Sequence, residues 1–574
     1  MSTVNLKINN IPVTVPADYT VLQAAKEANI EIPTLCYLKD VNCIGACRLC
    51  VVETKGRPGL GAACVLPVAE GMEVLTNSPK VRASRKTTLE LILSNHNKKC
   101  LSCAKSNNCE LQKYALEYEV DEDKYVTEGG RNEYDIDDVS PFIIRDNNKC
   151  IICRRCIGAC SNLQGIGAIG AIARGYKTHI DCAFEKSMND VACVGCGQCV
   201  VACPVGALRE KSDEDKVWEA IADPDKQVIF FTAPSIRATI GEAFGMEVGT
   251  NAEGKMISAI RKLGVDKVFN MDVTADLTIM EESNEFIDRV KNNGPLPLLT
   301  SCCPGWVKYV EFFYPEFIPN ISSCKSPQQM FGTVIKKFYC EKNNIDPEKV
   351  FIVSVIPCTG KKFEVTRHED VDVSISTREL AHMIKSASIK FNELQDEQFD
   401  NPFETASGAG AIFGATGGVM EAALRTAKEV LENKSADAID FKEVRGIDGV
   451  KEATYDVAGI KVSVAVASGL KNAKKVMDAV KNGEKQYHFI EVMACPGGCI
   501  NGGGQPYQSD AIRNNVDLQS LRAKALYDFD ASMSLRKSHE SPVVKMLYDE
   551  YYEKPGSHKA HEQLHTSYAP RKKY

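Results

Sequence analysis

The stretch KVFIVSVIPCTGKK, residues 349–362, joins a long apolar run to a cysteine and two lysines. Such a run, rich in β-branched residues, is typical of a strand that is buried on both faces in a parallel sheet covered by helices. Similar runs alternate with amphipathic helical stretches after about residue 210: QVIFFTAPS (227–235), DKVFNMD (266–272), LPLLTSCCPGW (296–306), IKVSVAVASG (460–469) and YHFIEVMACPGGC (487–499). We therefore predict a large α/β region at residues 211–574, with two parallel-sheet lobes and a C-terminal helical tail.

Three of these predicted strands end in cysteine. In open α/β sheets ligands bind beyond the carboxyl ends of the strands. We therefore expect four thiols to converge on one buried cluster site: Cys303, Cys358, Cys495 and Cys499. The glycines of ACPGGCINGGGQP, residues 494–506, allow the backbone to pack closely around that site.

Composition sets the broad class of the chain. At 574 residues it is too long for one hydrophobic core, so we predict a multidomain protein of about three to five domains. A net charge of -7 argues against nucleic-acid binding, and no apolar run reaches the roughly 18 residues that a membrane helix needs. The start, MSTVNLKINN, lacks the basic and apolar regions of a secretory signal, so we expect a cytoplasmic protein.

Cysteine is unusually frequent, with 24 residues, and in a reducing compartment these thiols are metal ligands more often than disulfides. Residues 1–78 read as a small α+β domain with the spacing C-x10-C-x2-C-x13-C. A [2Fe-2S] cluster suits this loop-rich unit better than zinc. The predicted ligands are Cys36, Cys47, Cys50 and Cys64, and we expect the spare Cys43 to be a small buried thiol.

The next motif, NHNKKCLSCAKSNNC at residues 95–109, has the spacing H-x3-C-x2-C-x5-C within a predicted domain at residues 79–118. It resembles the [4Fe-4S] module with one histidine and three cysteine ligands of hydrogenases and of the large iron-sulfur subunit of respiratory complex I. The ligands implied are His96, Cys100, Cys103 and Cys109. A zinc site built from the same side chains is the alternative.

Residues 119–140 are acidic and contain a Gly-Gly pair, so we interpret them as a linker. Two runs of C-x2-C-x2-C-x3-C follow within residues 141–210 and are typical of a bacterial two-cluster ferredoxin, in which the fourth cysteine of each run ligates the other cluster. One predicted [4Fe-4S] site therefore comprises Cys150, Cys153, Cys156 and Cys203, and the other comprises Cys193, Cys196, Cys199 and Cys160.

Three segments, TSCCPGW (300–306), PCTGKKFE (357–364) and MACPGGCINGGGQP (493–506), closely resemble the three signatures of [FeFe]-hydrogenases. With the N-terminal modules, the chain looks like the large monomeric clostridial type. The resemblance implies an H-cluster, in which the four converging cysteines hold a [4Fe-4S] cluster and Cys499 bridges to a two-iron subsite with CO, cyanide and aza-dithiolate ligands. It also implies dedicated maturation proteins, and ferredoxin or flavodoxin as electron partner.

The adjacent cysteines of TSCCPGW point to opposite faces of an extended segment. The resemblance makes Cys303 the cluster ligand and Cys302 the first proton donor and acceptor. Glu282, Glu285 and Arg289 lie on one face of a predicted helix, which by itself is equally compatible with a solvated helix face. By resemblance, the proton route runs through Cys302, Glu282, Ser322, Glu285 and Arg289.

The resemblance also implies residues that contact the two-iron subsite. Lys361 would hydrogen-bond a cyanide ligand. The remaining pocket walls would be Pro234, Ser235, Gln328, Phe413 and Met493. The sequence departs from the family pattern at Ile356, Gly360 and Cys324.

Two further motifs resemble known sites. HEQLH, residues 561–565, fits the zinc motif H-E-x-x-H but has no downstream third ligand, and we do not expect a protease. GAGAIFGATGG, residues 408–418, looks like a dinucleotide loop, but Phe413 occupies the place of the third glycine, so we expect no nucleotide.

The sequence is therefore identified as that of an [FeFe]-hydrogenase that reversibly reduces protons to H2. Two alternatives belong to other functional classes. A hydrogen-sensing relative usually has a signalling domain and an altered proton-donor cysteine, and neither is seen here. An iron-sulfur electron-transfer or assembly protein would lack the three C-terminal signatures or the N-terminal modules.

Overall fold

The architecture is described from a computed structural model, which covers residues 2–125, 130–432, 440–457 and 459–573. Small α+β domains occupy the N-terminal third, and a two-lobed α/β region follows. The predicted multidomain fold is thus confirmed. Within the described ranges, no helix has the length and apolar character that a membrane crossing needs.

The N-terminal domain is a five-stranded mixed sheet with the strand order β2-β1-β5-β3-β4 and one helix packed on it. A capping box at Thr20 starts the helix. Three of the four predicted [2Fe-2S] ligands lie in the long connection between α1 and β3. The elements are β1 (Thr3–Ile8), β2 (Ile11–Pro16), α1 (Val21–Glu27), β3 (Val51–Thr54), β4 (Leu60–Ala62) and β5 (Glu73–Leu75).

The segment up to residue 210 consists of short elements that surround cysteine-rich loops. Two antiparallel two-stranded sheets, β6 with β9 and β7 with β8, frame the ferredoxin-like part. The predicted linker at 119–140 falls partly outside the described residues, at 126–129. The elements are α2 (Pro79–Ser94), α3 (Glu110–Glu117), β6 (Ile143–Arg145), α4 (Arg155–Ile157), β7 (Ile169–Ile172), β8 (His179–Cys182), α5 (Gln198–Ala202) and β9 (Leu208–Glu210).

The first lobe of the α/β region is a fully parallel sheet with the order β11-β10-β13-β14. Its two central strands, β10 and β13, are almost completely buried, as their continuous apolar runs predict. The elements up to this sheet's last helix are α6 (Glu214–Ala222), β10 (Gln227–Thr232), α7 (Glu253–Lys262), β11 (Lys267–Asn270), α8 (Asp272–Lys291), β12 (Leu298–Leu299), α9 (Pro304–Phe313), α10 (Pro327–Thr333), α11 (Cys340–Asn343), β13 (Val350–Val355), α12 (Gly360–Val365), β14 (Val373–Ile375) and α13 (Thr377–Ser386).

The second lobe has the order β12-β17-β16-β15 and is mixed, because β15 pairs with β16 antiparallel. The prediction of parallel strands is confirmed for β12, β17 and β16, and β15, which lies outside the predicted strands, adds an antiparallel edge. The elements of this lobe and of the tail are α14 (Gly408–Ala411), α15 (Gly418–Glu432), β15 (Val450–Val457), β16 (Ile460–Ser468), α16 (Leu470–Lys481), β17 (Phe489–Met493), α17 (Asp510–Asn515), α18 (Leu518–Ser532), α19 (Pro542–Leu547) and α20 (His558–Leu564).

A buried ion-pair network joins helices α15 and α18 beside the second lobe. The guanidinium of Arg425 donates to both carboxylate oxygens of Asp530, at 2.9 and 2.8 Å, and also to Glu421 at 2.7 Å. Arg425 and Asp530 are at most 1% exposed. A buried charge of this kind is stable only while its partner is present.

We expect Asp530→Ala to destabilise the protein by about 3–5 kcal/mol, because it removes a carboxylate partner from a buried guanidinium. Anaerobic thermal unfolding would measure the loss. The matched control is Asp528→Ala on the same helix, whose carboxylate pairs with Lys524 in solvent. That control should lower the free energy of unfolding by less than about 1 kcal/mol. Equal effects of the two substitutions would contradict the role given to the buried network.

Candidate functional site

The carboxyl ends of strands β12, β13 and β17 meet between the two lobes at one cavity of about 80 Å³, the large cavity. The four cysteines predicted to converge all line it. So do the six side chains predicted to contact the two-iron subsite, together with Cys302. The lining residues among those predictions are Pro234, Ser235, Cys302, Cys303, Gln328, Cys358, Lys361, Phe413, Met493, Cys495 and Cys499.

The two adjacent cysteines separate at this cavity. Cys303 is the residue before helix α9, which begins with Pro304, a proline well suited to a first helical position. Its side chain packs in the hydrophobic cluster that also contains Cys196, whereas Cys302 packs in the cluster that contains Phe413 and Met493. The structure thus directs the two thiols into different environments, as an extended segment requires.

The cavity fits an iron-sulfur group by its donor set. Burial raises the pKa of all four converging thiols, that of Cys358 to about 11, so metal binding is needed to hold them as thiolates. The hydroxyl of Ser235, which lines the same cavity, is buried and has no hydrogen-bond partner among the described residues. At Gly498, with φ +103°, a Cβ would lie 2.9 Å from the sulfur of Met493.

Lys361 enters the cavity from helix α12 as a buried ammonium. It donates to the carbonyl of Cys302 at 3.1 Å and to the carboxylate of Glu364 at 2.8 Å. An ammonium has three donors, so one remains for a group in the cavity. Glu364 also accepts from the Gln328 amide at 3.0 Å. Sequence reasoning quoted this glutamate within PCTGKKFE but did not single it out, and its position three residues after Lys361 on a helix was the available signal.

A chain of polar groups leads away from Cys302. Helix α8 carries Glu282, which is 2% exposed, and Glu285 one turn further on. The Ser322 hydroxyl donates to Glu285 at 2.7 Å, and Arg289 donates to Glu285 at 2.6 Å. The guanidinium of Arg289 is itself fixed by the carbonyls of Asn320 and Ile321. Ser322, Glu285 and Arg289 are therefore joined by hydrogen bonds. Glu282 is close enough to Cys302 to raise the pKa of that thiol.

The electrostatics of this path favour bound protons at its inner end. Burial raises the pKa of Glu282 to about 8, and the neighbouring Glu285 acts in the same direction, whereas the Ser322 hydroxyl lowers it. Burial also raises the pKa of Cys302 well above its usual value. Both groups are therefore protonated at neutral pH.

The four predicted [2Fe-2S] ligands lie together in the N-terminal domain. The sulfurs of Cys50 and Cys64 are 3.4 Å apart, and the Cys47 amide contacts the sulfur of Cys36 at 3.5 Å. The expectation for Cys43 is wrong, because its side chain is exposed and its thiol contacts the carbonyl of Cys64 at 3.0 Å.

The predicted histidine ligand has the properties that metal binding needs. His96 is 8% exposed, and its Nδ1 has no hydrogen-bond partner among the described residues. Burial lowers the pKa of His96 to about 4, so the ring is neutral, which is the form that binds metals. Burial also raises the pKa of Cys100 and Cys109, and Cys103 adds to both shifts.

The two ferredoxin-like sites are separate cavities, and each has the crossed composition that the motif predicts. One is lined by Cys150, Cys153, Cys156 and Cys203, and the other by Cys160, Cys193, Cys196 and Cys199. Cys182, on β8, lines neither cavity.

The second of these sites touches the wall of the large cavity. The Thr359 hydroxyl donates to the carbonyl of Gly195 at 2.6 Å, and the Gln198 amide donates to the carbonyl of Asn501 at 2.9 Å. At Gly197, with φ +69°, a Cβ would lie 2.8 Å from the backbone of Gly503. Glycines on both sides therefore bring the two cysteine-rich loops into direct backbone contact.

The two motifs set aside in the sequence have other structural roles. His565 uses Nδ1 with the hydroxyl of Ser323, at 2.8 Å, and Nε2 with Glu281, at 3.2 Å, while its ring packs on that of His561. Phe413, in the glycine-rich segment, lines the large cavity. The contacts of His565 join residues far apart in the chain, so no local pattern predicts them.

Family models match nearly the whole chain. The C-terminal domain of the iron only hydrogenase large subunit matches residues 226–503, and the iron hydrogenase small subunit matches 516–571. Toward the N-terminus, three iron-sulfur models match: the 2Fe-2S iron-sulfur cluster binding domain (1–79), the NADH-ubiquinone oxidoreductase-G iron-sulfur binding region (85–124) and the NADH-quinone oxidoreductase subunit 3 ferredoxin-like domain (140–209).

Individual proteins match over long ranges as well. The chain is 46% identical to the NADP-reducing hydrogenase subunit HndD of Solidesulfovibrio fructosivorans over 100% of both chains. It is 45% identical to iron hydrogenase 1 of Clostridium pasteurianum, over 98% of this chain and 99% of the relative. A structure of the apo [FeFe]-hydrogenase from Chlamydomonas reinhardtii matches with a TM-score of 0.56 and 38% identity, covering 63% of this chain and 99% of that one.

We expect Glu282 to be protonated at neutral pH and to lose its proton as the pH rises through about 8. Because folding raises its pKa from 4.5 to about 8, the free energy of unfolding should fall by about 1.4 kcal/mol per pH unit between those two values and no further above them. Infrared difference spectra of the carboxyl band between pH 6 and 10 would show the titration. Glu282→Gln should lack the component that titrates near pH 8, and a component near pH 8 that persists in this variant would contradict the assignment.

Proposed function

The chain belongs to the [FeFe]-hydrogenase family and is a hydrogenase of the clostridial type, and we propose that it reversibly reduces protons to H2 with electrons from ferredoxin or flavodoxin. The observation that carries this proposal is the cavity itself. Four thiols meet there at the ends of three strands, and a fifth, that of Cys302, lies close to Glu282 on the helix that also carries Glu285 and Arg289. Catalysis of proton reduction needs both a metal site and a supply of protons.

We propose five metal centres in the chain. The N-terminal domain would hold one [2Fe-2S] cluster, three accessory [4Fe-4S] clusters would bind at His96 with its three cysteines and at the two ferredoxin-like sites, and the H-cluster would bind in the large cavity. When bound, the accessory clusters carry electrons and the H-cluster supplies the site at which protons are reduced. The domain bounds 1–78, 79–118, 141–210 and 211–574 remain our proposal.

The chain's own residues would move the protons. Cys302 would donate and accept protons at its Sγ, and Glu282 would return a proton to that thiol. Ser322 supports this relay because its hydroxyl hydrogen-bonds Glu285 and also acts on Glu282. Arg289 would hold Glu285 in position at the outer end.

Other residues would orient the bound group and exclude water. Lys361 would donate its remaining hydrogen to a cyanide ligand, and the Glu364 carboxylate would keep the ammonium charged and fixed. The unpartnered hydroxyl of Ser235 would serve as a second donor. Phe413, Met493 and Pro234 supply apolar walls. At Ile356 the cavity has a branched aliphatic wall in place of the thioether familiar in relatives.

We also propose electron partners and assembly factors from the iron-sulfur domains and the relatives of the chain. A small ferredoxin or flavodoxin in the cytoplasm suits a chain whose N-terminal third consists of iron-sulfur domains. A relative of full-length similarity is named as a subunit of an NADP-reducing hydrogenase, so a nicotinamide-dependent partner subunit is the second candidate. Dedicated maturation proteins would supply the two-iron subsite.

The sequence-based alternatives predict different behaviour. A hydrogen sensor would turn over slowly, and the presence of Cys302 together with the hydrogen-bonded Ser322, Glu285 and Arg289 favours an enzyme. An electron-transfer or assembly protein would hold no two-iron subsite after maturation.

We expect Cys302→Ala to lower anaerobic H2 evolution from reduced methyl viologen by about 10²- to 10⁴-fold, because it removes a positioned proton donor. Infrared bands of CO and cyanide should be unchanged, which would show that the cofactor is present. The control is Cys340→Ala, a buried cysteine in the core of the first lobe. Matured protein that lacks the bands would instead favour the electron-transfer alternative, and wild-type protein as slow as the variant would favour the sensor.

Two neighbouring serines allow a sharper test of the route. Ser322→Ala removes a hydroxyl that serves both glutamates, and we expect H2 evolution to fall by about 10- to 100-fold. Ser323→Ala is the matched control, because that hydroxyl contacts only Glu285, at 3.3 Å, and His565 on the other side. It should retain activity within about twofold. A similar loss in both variants would mean that the serines fix the loop and do not relay protons.

A further inference from the structure

Lys308 is a buried cation that the proton route and the pocket leave unexplained. It lies on helix α9, five residues beyond Cys303, and is 6% exposed. Among the residues that the structure describes, its ammonium has no hydrogen-bond or ion-pair partner. Its nearest companions are aromatic rings: the ammonium nitrogen is 4.3 Å from the ring centre of Phe363, 4.8 Å from that of Phe142 and 5.7 Å from that of Phe312.

Aromatic faces attract a cation, but each supplies only about 0.5–2 kcal/mol. The effective cost of burying an ion is several kcal/mol. The nearby carboxylate of Glu311 does not supply the remaining stabilisation. Glu311 accepts two hydrogen bonds from Arg367, at 2.9 and 2.8 Å, and a third from Arg571, at 2.6 Å. Two guanidinium groups therefore already pair with this carboxylate, and with Lys308 the region has an excess of positive charge.

A cysteine-rich loop lies on the other side of these aromatic rings. The ring of Phe142 packs directly on Gly195, where a Cβ would lie 3.3 Å from it, and Gly195 belongs to the loop from Cys193 to Cys199. Phe142 shares a hydrophobic cluster with Cys193 and Cys199. Burial lowers the pKa of Lys308 to about 8, and Cys193 is the foremost group that acts in the opposite direction.

We propose that the positive charge of Lys308 raises the reduction potential of the [4Fe-4S] cluster held by Cys160, Cys193, Cys196 and Cys199. The inference rests on the proposed function. Four thiolates around a [4Fe-4S] core give a net negative charge, and one-electron reduction adds a further negative charge without breaking a bond. A fixed ammonium nearby stabilises the reduced form more than the oxidised form, so the potential rises.

The position of Lys308 gives this charge a consequence for catalysis. The loop that carries Cys196 is in backbone contact with the wall of the large cavity through Gly197 and Gly503. The cluster that Lys308 acts on is therefore the last accessory centre before the catalytic cavity. A higher potential there makes it a better acceptor of electrons that arrive from the N-terminal domains.

The test is a potentiometric titration of the anaerobic, matured enzyme, followed by electron paramagnetic resonance of the reduced clusters. In Lys308→Met, which keeps the length and loses the charge, one [4Fe-4S] signal should titrate at a lower potential. We expect at least a tenfold change in its reduced-to-oxidised ratio, or about 59 mV for a one-electron couple. Lys308→Arg keeps the charge and should leave that signal in place.

A second buried lysine provides a matched control. Lys105 is 5% exposed, its ammonium nitrogen lies 3.4 Å from the ring centre of Tyr507, and Cys203 and Cys109 are the thiols that act on it. Lys105→Met removes a similar buried charge beside different sites and should not move the signal that Lys308→Met moves.

The outcomes distinguish failure of the proposal for Lys308 from failure of the cluster-ligand assignment. If wild type shows the accessory signals and Lys308→Met leaves every potential unchanged, Lys308 has no tuning role, while the ligand assignments stand. If both Lys308→Met and Lys308→Arg lose the iron of one cluster, the residue is structural and the proposal also fails. If wild type lacks the four-cysteine cluster altogether, the ligand assignment fails first.

Discussion

Desolvation of cysteine is the constraint on which the rest of this molecule depends. The four thiols at the large cavity are all raised in pKa by burial, so the folded chain alone does not favour their charged form. The same holds for Cys153 and Cys196 at the two ferredoxin-like sites. Thiols buried in this way become thiolate ligands only when a cationic metal binds them. The roles proposed for Lys361, Ser235 and Lys308 depend on this requirement, since each would bring a donor or a charge toward a proposed metal centre.

Much of this arrangement was predictable from local sequence. Continuous apolar runs predicted β10, β13, β16 and β17, and cysteines at the strand ends predicted the meeting point of the lobes. The run LPLLTSCC predicted a longer strand than forms, because Pro295 and Pro297 lack the amide hydrogens that a ladder needs and only Leu298–Leu299 pair. The antiparallel β15 carried a signal of its own, an alternation of exposed and buried residues typical of an edge strand.

The remaining features depend on tertiary contacts that no local pattern encodes. The spacing of Lys361 and Glu364 on one helix indicates their contact, but only the fold brings Gln328 to the same carboxylate. Cys43 is exposed because its loop lies at the surface of the N-terminal domain, although free cysteine is usually buried. Lys308 appears in the sequence as one of many lysines. Only the packing of Phe142 and Phe363 from distant segments makes it a buried cation.

The proposed routes of protons and electrons reach the cavity at two consecutive residues. Because neighbouring side chains of an extended segment point in opposite directions, Cys302 and Cys303 connect one peptide to two environments. Cys302 packs with Phe413 and Met493 and lies near Glu282 of α8, whereas Cys303 packs with Cys196 and precedes the helix that carries Lys308. Carboxyl groups lie on the first side and excess positive charge on the second. The backbone between them keeps the groups proposed to carry protons apart from those proposed to carry electrons, while both reach the same cavity.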